Sequence, residues 1–370
     1  MKIPVSPSNP ARRRFLLLAG AGLLGSVTSG CGWQLAKVQS APPGKSGGDL
    51  YVYTWESYVD PQLLTDFQKR HSIKAISDVY DGNETMVAKL QAGQAANYSI
   101  LYPSEYFLKK MVDQGLLREI DETELQGIEG ILPALADKGF VDGKRYSVPA
   151  TWGTSGLIYN SEKIPGGLTD WIDLWKQKDK LNRRITMLND PREVLGVGLY
   201  ALGQKLGSQN DPASIKRSYE KLLELKPAIA AFDTDAWRDR MLSGDVWVAH
   251  AYSTDAAEVV KDNPKFRYII PQSGASLWVD TMAIPVSAPN IEAAYDWIND
   301  MLQGDVVAGL NDRLSFAPAI TSAVEKLPPE VRQNPVLFPS KEDLAHCETM
   351  PPLSEAAEKT IDSYWTKLLS

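Results

Sequence analysis

The chain has 370 residues, 44% hydrophobic and 23% charged, which excludes fibrous, collagen-like and wholly disordered chains and leaves room for two domains. Lys and Arg number 39 against 46 Asp and Glu, for a formal charge of −7; four of the basic residues, Lys2, Arg12, Arg13 and Arg14, lie before residue 30, and without them 35 face 46 acids, a net of −11. Such a surface repels nucleic acid and anionic lipid and weakly favours cationic partners.

Arg12-Arg13-Arg14-Phe15-Leu16 opens an apolar run to Val27, followed by Thr28, Ser29 and Gly30 ahead of Cys31. Basic, then apolar, then small residues make residues 1–30 an export signal rather than a fold element. The 13 residues from Phe15 to Val27 would reach about 20 Å as a helix, short of the roughly 30 Å hydrocarbon core, so no stop-transfer anchor is expected. Arg-Arg-x-Phe-Leu resembles a twin-arginine signal. Thr-Ser-Gly-Cys resembles a lipobox, in which Cys31 becomes the lipidated N-terminus, although Thr28 stands where Leu is usual. Ordinary cleavage beside an incidental thiol is the alternative. Residues 31–48, with Ala41-Pro-Pro-Gly-Lys-Ser-Gly-Gly48, read as a flexible tether. Cys31 and Cys347 are the only cysteines, so the exported body from Asp49 onward must rest on its core rather than an internal disulfide.

Along that body the pattern predicts a strand over Leu50–Thr54, a helix over Pro61–His71, a strand over Ile73–Tyr80 and a helix from Asn83 to Ala92 with Asn83 as its cap. A strand at Ser99–Tyr102 and a helix at Ser104–Gln114 ending at Gly115 follow. The rhythm restarts with a strand at Arg184–Leu188, a helix at Pro191–Leu202, a helix opened by Asp211-Pro212, a strand at Val246–Ala251 and a helix at Thr254–Lys261. Ser276–Pro285 is an extended run, and Ser354–Leu368 a final amphipathic helix. The alternation predicts an α/β fold with largely parallel sheets. Two βα series, separated near Trp152-Gly153-Thr154 and rejoined near Trp278, point to two lobes crossed more than once.

In open α/β sheets ligands lie beyond the carboxyl ends of the strands. There the sequence places Trp55, Ser57 and Tyr58, then Ser104 and Tyr106, then Asp190 and Glu193, then Tyr252 and Asp255. Trp278 and Asp280 are two apart in an extended run and so share a face. Aromatic walls with several carboxylates and no matching Lys or Arg suit an elongated cation: rings cover methylenes and attract charge, and carboxylates take ammonium groups. Structural alternatives exist for each. Asp190 and Glu193 would form a helix-capping pair, Asp255 would cap its helix, Asp280 would pair internally, and the aromatics would be core or rim.

Six ordered blocks carry a resemblance. Leu50-Tyr-Val-Tyr-Thr-Trp-Glu-Ser-Tyr58, Asn83-Glu-Thr-Met-Val-Ala-Lys-Leu90, Tyr102-Pro-Ser-Glu-Tyr106, Tyr146-Ser-Val-Pro-Ala-Thr-Trp-Gly153, Asp190-Pro-Arg-Glu-Val194 and Trp278-Val-Asp-Thr-Met-Ala-Ile-Pro285 resemble the bacterial periplasmic spermidine/putrescine-binding proteins of ABC importers. The resemblance implies a type II periplasmic binding fold, with two α/β lobes joined by a hinge around an interlobe ligand cleft. It divides the body into residues 49–152 with 280–325, and 153–279 with 326–370. It implies a monomer that captures a polyamine in the periplasm and delivers it to membrane permease subunits, without cofactor, metal or nucleic acid. Carried over by position, Trp55, Ser57, Tyr58, Ser104 and Tyr106 match the first lobe's pocket, Asp190, Glu193, Tyr252 and Asp255 the second's, and Trp278 and Asp280 a pocket aromatic and an amine-binding carboxylate. Tyr252 stands where many relatives have Trp, and Phe316 where a Tyr hydroxyl is common. Asp255 matches putrescine-type relatives better, leaving ligand length open.

Other classes predict other residues. A carboxylate-pair hydrolase would need an acid and a base set apart by environment. His71, His250 and His346 lack metal-ligand spacing. A binder of 4-aminobutyrate or an amino acid would want a cation for the ligand carboxylate, for which Arg192 is the nearby choice. A structural or adhesion lipoprotein would bind no small molecule.

Overall fold

A computed structural model describes residues 48–370 apart from Ser57. The signal, most of the tether, the lipidation expected at Cys31, and Ser57 therefore lie outside the described residues.

One mixed sheet organises the body. From one edge its strands run Ala75–Tyr80, Leu50–Trp55, Ile100–Leu101, Ala275–Ala283, Ser147–Asn160, Val248–Tyr252, Ile185–Met187 and Ile229–Phe232. The first three are mutually parallel, as are the last three. Between them Ala275–Ala283 and Ser147–Asn160 pair antiparallel to each other, and each is antiparallel to its outer neighbour. The expected parallel character thus holds for the two flanks but not the middle.

The segment read as a separator near Trp152 is the interior of this 14-residue strand, buried at every position. A strand covered on both faces reads as a continuous run without period-two alternation, which hid it in the sequence. Val148, Ala150 and Trp152 enter a hydrophobic cluster with Val52, Phe67, Val279 and Trp297. Leu157 and Tyr159 enter another with Trp171, Ile185, Val194, Leu222 and Ile361.

Most helices lie where the periodicity placed them. Pro61–His71 starts after Asp60, whose carboxylate accepts the Leu63 N–H at 2.7 Å. Pro191–Ala201 starts after Asp190, Pro212–Leu225 after Asp211, and Glu355–Leu369 after Ser354. Two readings change. The helix Asn83–Lys89 begins after Gly82 with no side-chain cap, so Asn83 is not its cap. The helix Ser253–Asp262 begins after Tyr252, placing Asp255 in its first turn rather than at its cap.

The helices Pro191–Ala201 and Pro212–Leu225 touch at Gly198, where an added Cβ would lie 2.2 Å from Ser218 Oγ and 2.8 Å from the Ser218 carbonyl oxygen. The same Ser218 hydroxyl donates to the Leu195 carbonyl at 2.6 Å. Overpacking of this kind costs roughly 1–3 kcal/mol. Gly198→Ala is expected to lose about that much in urea unfolding, whereas Gly207→Ala, with open space around its Cβ, stays within about 0.5 kcal/mol of the parent.

Candidate functional site

Asp280 lies on the strand Ala275–Ala283, paired with Thr151 just before a register shift. It is 6% exposed. The Tyr58 hydroxyl donates to one carboxylate oxygen at 2.5 Å and the Ser104 hydroxyl to the other at 2.6 Å. Among the described residues no Lys, Arg or His nitrogen comes within ion-pair distance, so the internal salt bridge is not formed. Burial pushes its carboxyl up to about 6 despite both hydroxyls. The Asp280 charge in turn adds to burial in holding the Tyr58 phenol well above its ordinary range.

The side chain of Asn83, read from sequence as a cap, is what fixes Ser104. Its amide oxygen accepts the Ser104 backbone N–H at 3.0 Å, and its amide nitrogen donates to Ser104 Oγ at 3.1 Å and to the Tyr106 hydroxyl at 3.2 Å. Being 2% exposed, Asn83 locks two site side chains. Trp55 donates its indole N–H to the Tyr102 carbonyl at 2.8 Å and leans on Tyr80 with centroids 4.7 Å apart. Phe316 lies in the hydrophobic core, 6.4 Å from the Tyr58 ring.

On the other flank, one oxygen of Asp190 accepts the N–H groups of Arg192 at 2.8 Å and Glu193 at 3.0 Å. The capping alternative is therefore realised at Asp190, but it uses a single oxygen. Burial and then the Glu193 charge push the Asp190 carboxyl up to about 6, with a further contribution from the Glu84 charge. Glu193 does not return to the cap backbone. It is 6% exposed, and Oε1 accepts the Ser276 hydroxyl at 2.5 Å. Ser276 precedes Trp278 and Asp280 at two-residue steps, so the alternation that paired those two would also have found it.

Tyr252 feels acids from both the Pro191 helix and a central strand. Its phenol is held well above the ordinary range first by burial, then by the charges of Asp190, Glu193 and Asp280, and Tyr106 also acts on it. The charges of three acids, two on the helix Pro191–Ala201 or its cap and one on a central strand, thus act on one phenol. Trp278 stands edge-on to it, centroids 6.0 Å apart. An added Cβ on Gly153, the strand partner of Trp278, would lie 2.3 Å from the indole, so this wall needs glycine behind it.

Two sequence readings meet cations. Asp255 is not unpaired: Arg238 Nη1 donates to it at 3.1 Å and also lies 3.7 Å from Glu258. Burial still pushes its carboxyl up to about 6, with Arg238 opposing. Sequence reasoning missed Arg238 because it comes from another helix, Trp237–Ser243. Arg192 is spoken for. Its guanidinium donates to Gln209 at 3.3 Å and to the Pro351 carbonyl, and its face lies 4.5 Å over the Tyr106 ring. Nearby, Lys110 donates to both oxygens of Glu358 at 3.0 and 2.9 Å. No group of three or more His, Cys, Asp or Glu suited to a metal occurs among the described residues.

The arrangement gathers buried acids and aromatic rings with fewer cations than acids beside them, a chemical setting suited to a cation. Residues 62–339 match the family of bacterial extracellular solute-binding proteins. The chain is 32% identical over 359 residues to spermidine/putrescine-binding periplasmic protein 1 of Haemophilus influenzae, covering 96% of this chain and 99% of that one. Among solved structures it is similar to the spermidine/putrescine ABC transporter substrate-binding protein of Streptococcus pneumoniae, with 31% identity, a TM-score of 0.76 and coverage of 87% and 98%. It is also similar to a lipoprotein of Treponema pallidum, with 25% identity, a TM-score of 0.72 and coverage of 86% and 98%. This chain belongs to the bacterial extracellular solute-binding protein family. Its fold is the mixed α/β type II periplasmic binding fold.

A carboxyl whose folded pKa is raised binds more protons in the folded state between its unfolded and folded values. The protein therefore loses stability as pH rises from about 4 to about 6, and the cost is fully present above. Asp190, Asp255 and Asp280 all contribute in that direction. Asp280→Asn is expected to raise the melting temperature relative to the parent at pH 7.5, with the gap narrowing at pH 4, in ligand-free thermal unfolding at both values.

Proposed function

We propose that this protein is the extracytoplasmic solute-binding component of an ABC importer and captures polyamines of the putrescine and spermidine type. The observation that carries this reading is Asp280, a buried carboxylate served only by hydroxyl donors, whose charge, like those of Asp190 and Glu193, acts on the Tyr252 phenol. A buried carboxylate without a cation costs several kcal/mol until one arrives. Each ammonium group would find a carboxylate and the methylenes between would lie against Trp55, Tyr58, Tyr106, Tyr252 and Trp278, with Phe316 packed behind Tyr58. The names of the relatives support the same ligand class. A carboxylate-bearing solute such as 4-aminobutyrate would want a free cation, and Arg192 and Arg238 are engaged.

In this reading residues 49–152 with 280–325 and residues 153–279 with 326–370 are two lobes that close over the ligand. The closed monomer then docks on the permease subunits, and no reaction is catalysed. Export through the twin-arginine-like signal would leave the protein in the periplasm, held to the membrane by a lipid on Cys31.

Asp280→Asn and Glu193→Gln are each expected to weaken putrescine and spermidine binding more than tenfold, about 1.4 kcal/mol, in calorimetric titration. Tryptophan emission should respond to polyamines but not to sugars or amino acids. Unaltered affinity in both variants would defeat the assignment.

A further inference from the structure

Behind Glu193 lies a group the polyamine reading does not use. His250 is fully buried, and neither ring nitrogen has a hydrogen-bond partner among the described residues. Its Nε2 is 3.7 Å from Glu193 Oε2, the oxygen Ser276 leaves free, and its ring stands edge-on to Trp171 with centroids 5.0 Å apart. His250 is two residues before Tyr252 on one strand, so both point to the same side of the sheet. It sits one step deeper than the phenol.

An unpartnered buried imidazole costs free energy unless something else is gained. The gap to Glu193 is too short for a bridging water and slightly too long for a hydrogen bond, so a small approach would make an ion pair once the ring is charged. Histidine is the side chain that ordinarily gains its charge between about pH 5 and 8. Glu193 is the only carboxylate within ion-pair distance among the described residues. Further out, Tyr252 and Asp190 feel Glu193 from the cleft side, while Tyr200 and Tyr268 feel both Glu193 and Cys347, and Tyr200 also feels Glu348.

We propose that His250 is a positioning residue that makes solute capture at Glu193 compete with a proton. With a neutral ring, Glu193 presents its charge to the ligand ammonium. With a protonated ring, Nε2–H pairs with Oε2 and the acid is spent internally. Solute binding then expels one proton from His250 to solvent, and by reciprocity acid weakens binding through this group by up to tenfold per pH unit. This inference rests on the polyamine reading of Glu193.

Acid weakens binding through Asp190 and Asp280 as well, so the test must isolate the imidazole. The chain has three histidines, and nitrogen-15 spectra of their rings can be followed individually, with His250 identified by difference in His250→Gln or by elimination using His71→Gln and His346→Gln. In the unaltered chain, saturating putrescine is expected to lower the His250 titration midpoint by one pH unit or more. In parallel, the ratio of putrescine Kd at pH 5.5 to that at pH 8 should be at least fivefold larger in the parent than in His250→Gln. Binding at pH 8 with an unmoved His250 midpoint, or equal ratios, overturns this inference and leaves the polyamine reading standing. No binding of putrescine or spermidine at pH 8 overturns both.

Discussion

Everything at this site depends on a carboxylate that the protein buries and does not neutralise. Asp280 receives two hydroxyl hydrogen bonds, which orient it without cancelling its charge. Hydroxyl donors are the chemically apt choice. A lysine or arginine there would neutralise the acid, whereas Tyr58 and Ser104 orient it and leave a stability cost that protonation below about pH 6 removes. The rest of the pocket reinforces this. Asn83 fixes Ser104 and Tyr106 with one amide, and Asp280 is itself only 6% exposed, so little water screens its charge.

The frame sets the distance over which such charges act. Ser276, Trp278 and Asp280 alternate along one strand, so the donor to Glu193, an aromatic wall and the second acid share a face. Four residues of extended chain separate the Ser276 and Asp280 backbones by roughly 13 Å. Under the polyamine reading, an acid associated with each end of such a span, with flat rings between, would suit a long flexible solute rather than a compact one. Because Ser147–Asn160 packs into clusters on both flanks, the strand pair at the centre is where relative movement of those flanks would have to be absorbed.

Much of this was legible in the sequence. Element positions followed from period and caps, and the helix after Asp60 has the predicted bounds. Trp55, Tyr58, Ser104, Tyr106, Glu193, Tyr252, Trp278 and Asp280 were all reachable from strand ends or alternation. What escaped did so for physical reasons. A strand buried on both faces carries no alternation, so Ser147–Asn160 read as a break between series. Asn83 looked like a cap because a polar residue before an apolar run is the same signal whether its amide turns to its own helix or to a neighbour. Arg238 and His250 act through tertiary proximity alone, and nothing in their local sequence announces the acids they face.

Under the polyamine reading, capping and binding are not rival explanations for the two acids of the Pro191 helix. Asp190 uses one oxygen to take the Glu193 N–H. That bond anchors the backbone from which the Glu193 side chain reaches Ser276. The remaining Asp190 oxygen keeps its charge in a buried setting beside Glu193, which is why its proton affinity rises. A single carboxylate therefore starts the helix, aims its neighbour and holds negative charge beside Glu193. Under that polyamine reading the local folding signal and the binding chemistry are one constraint read at two scales, and removing the side chain would damage both at once.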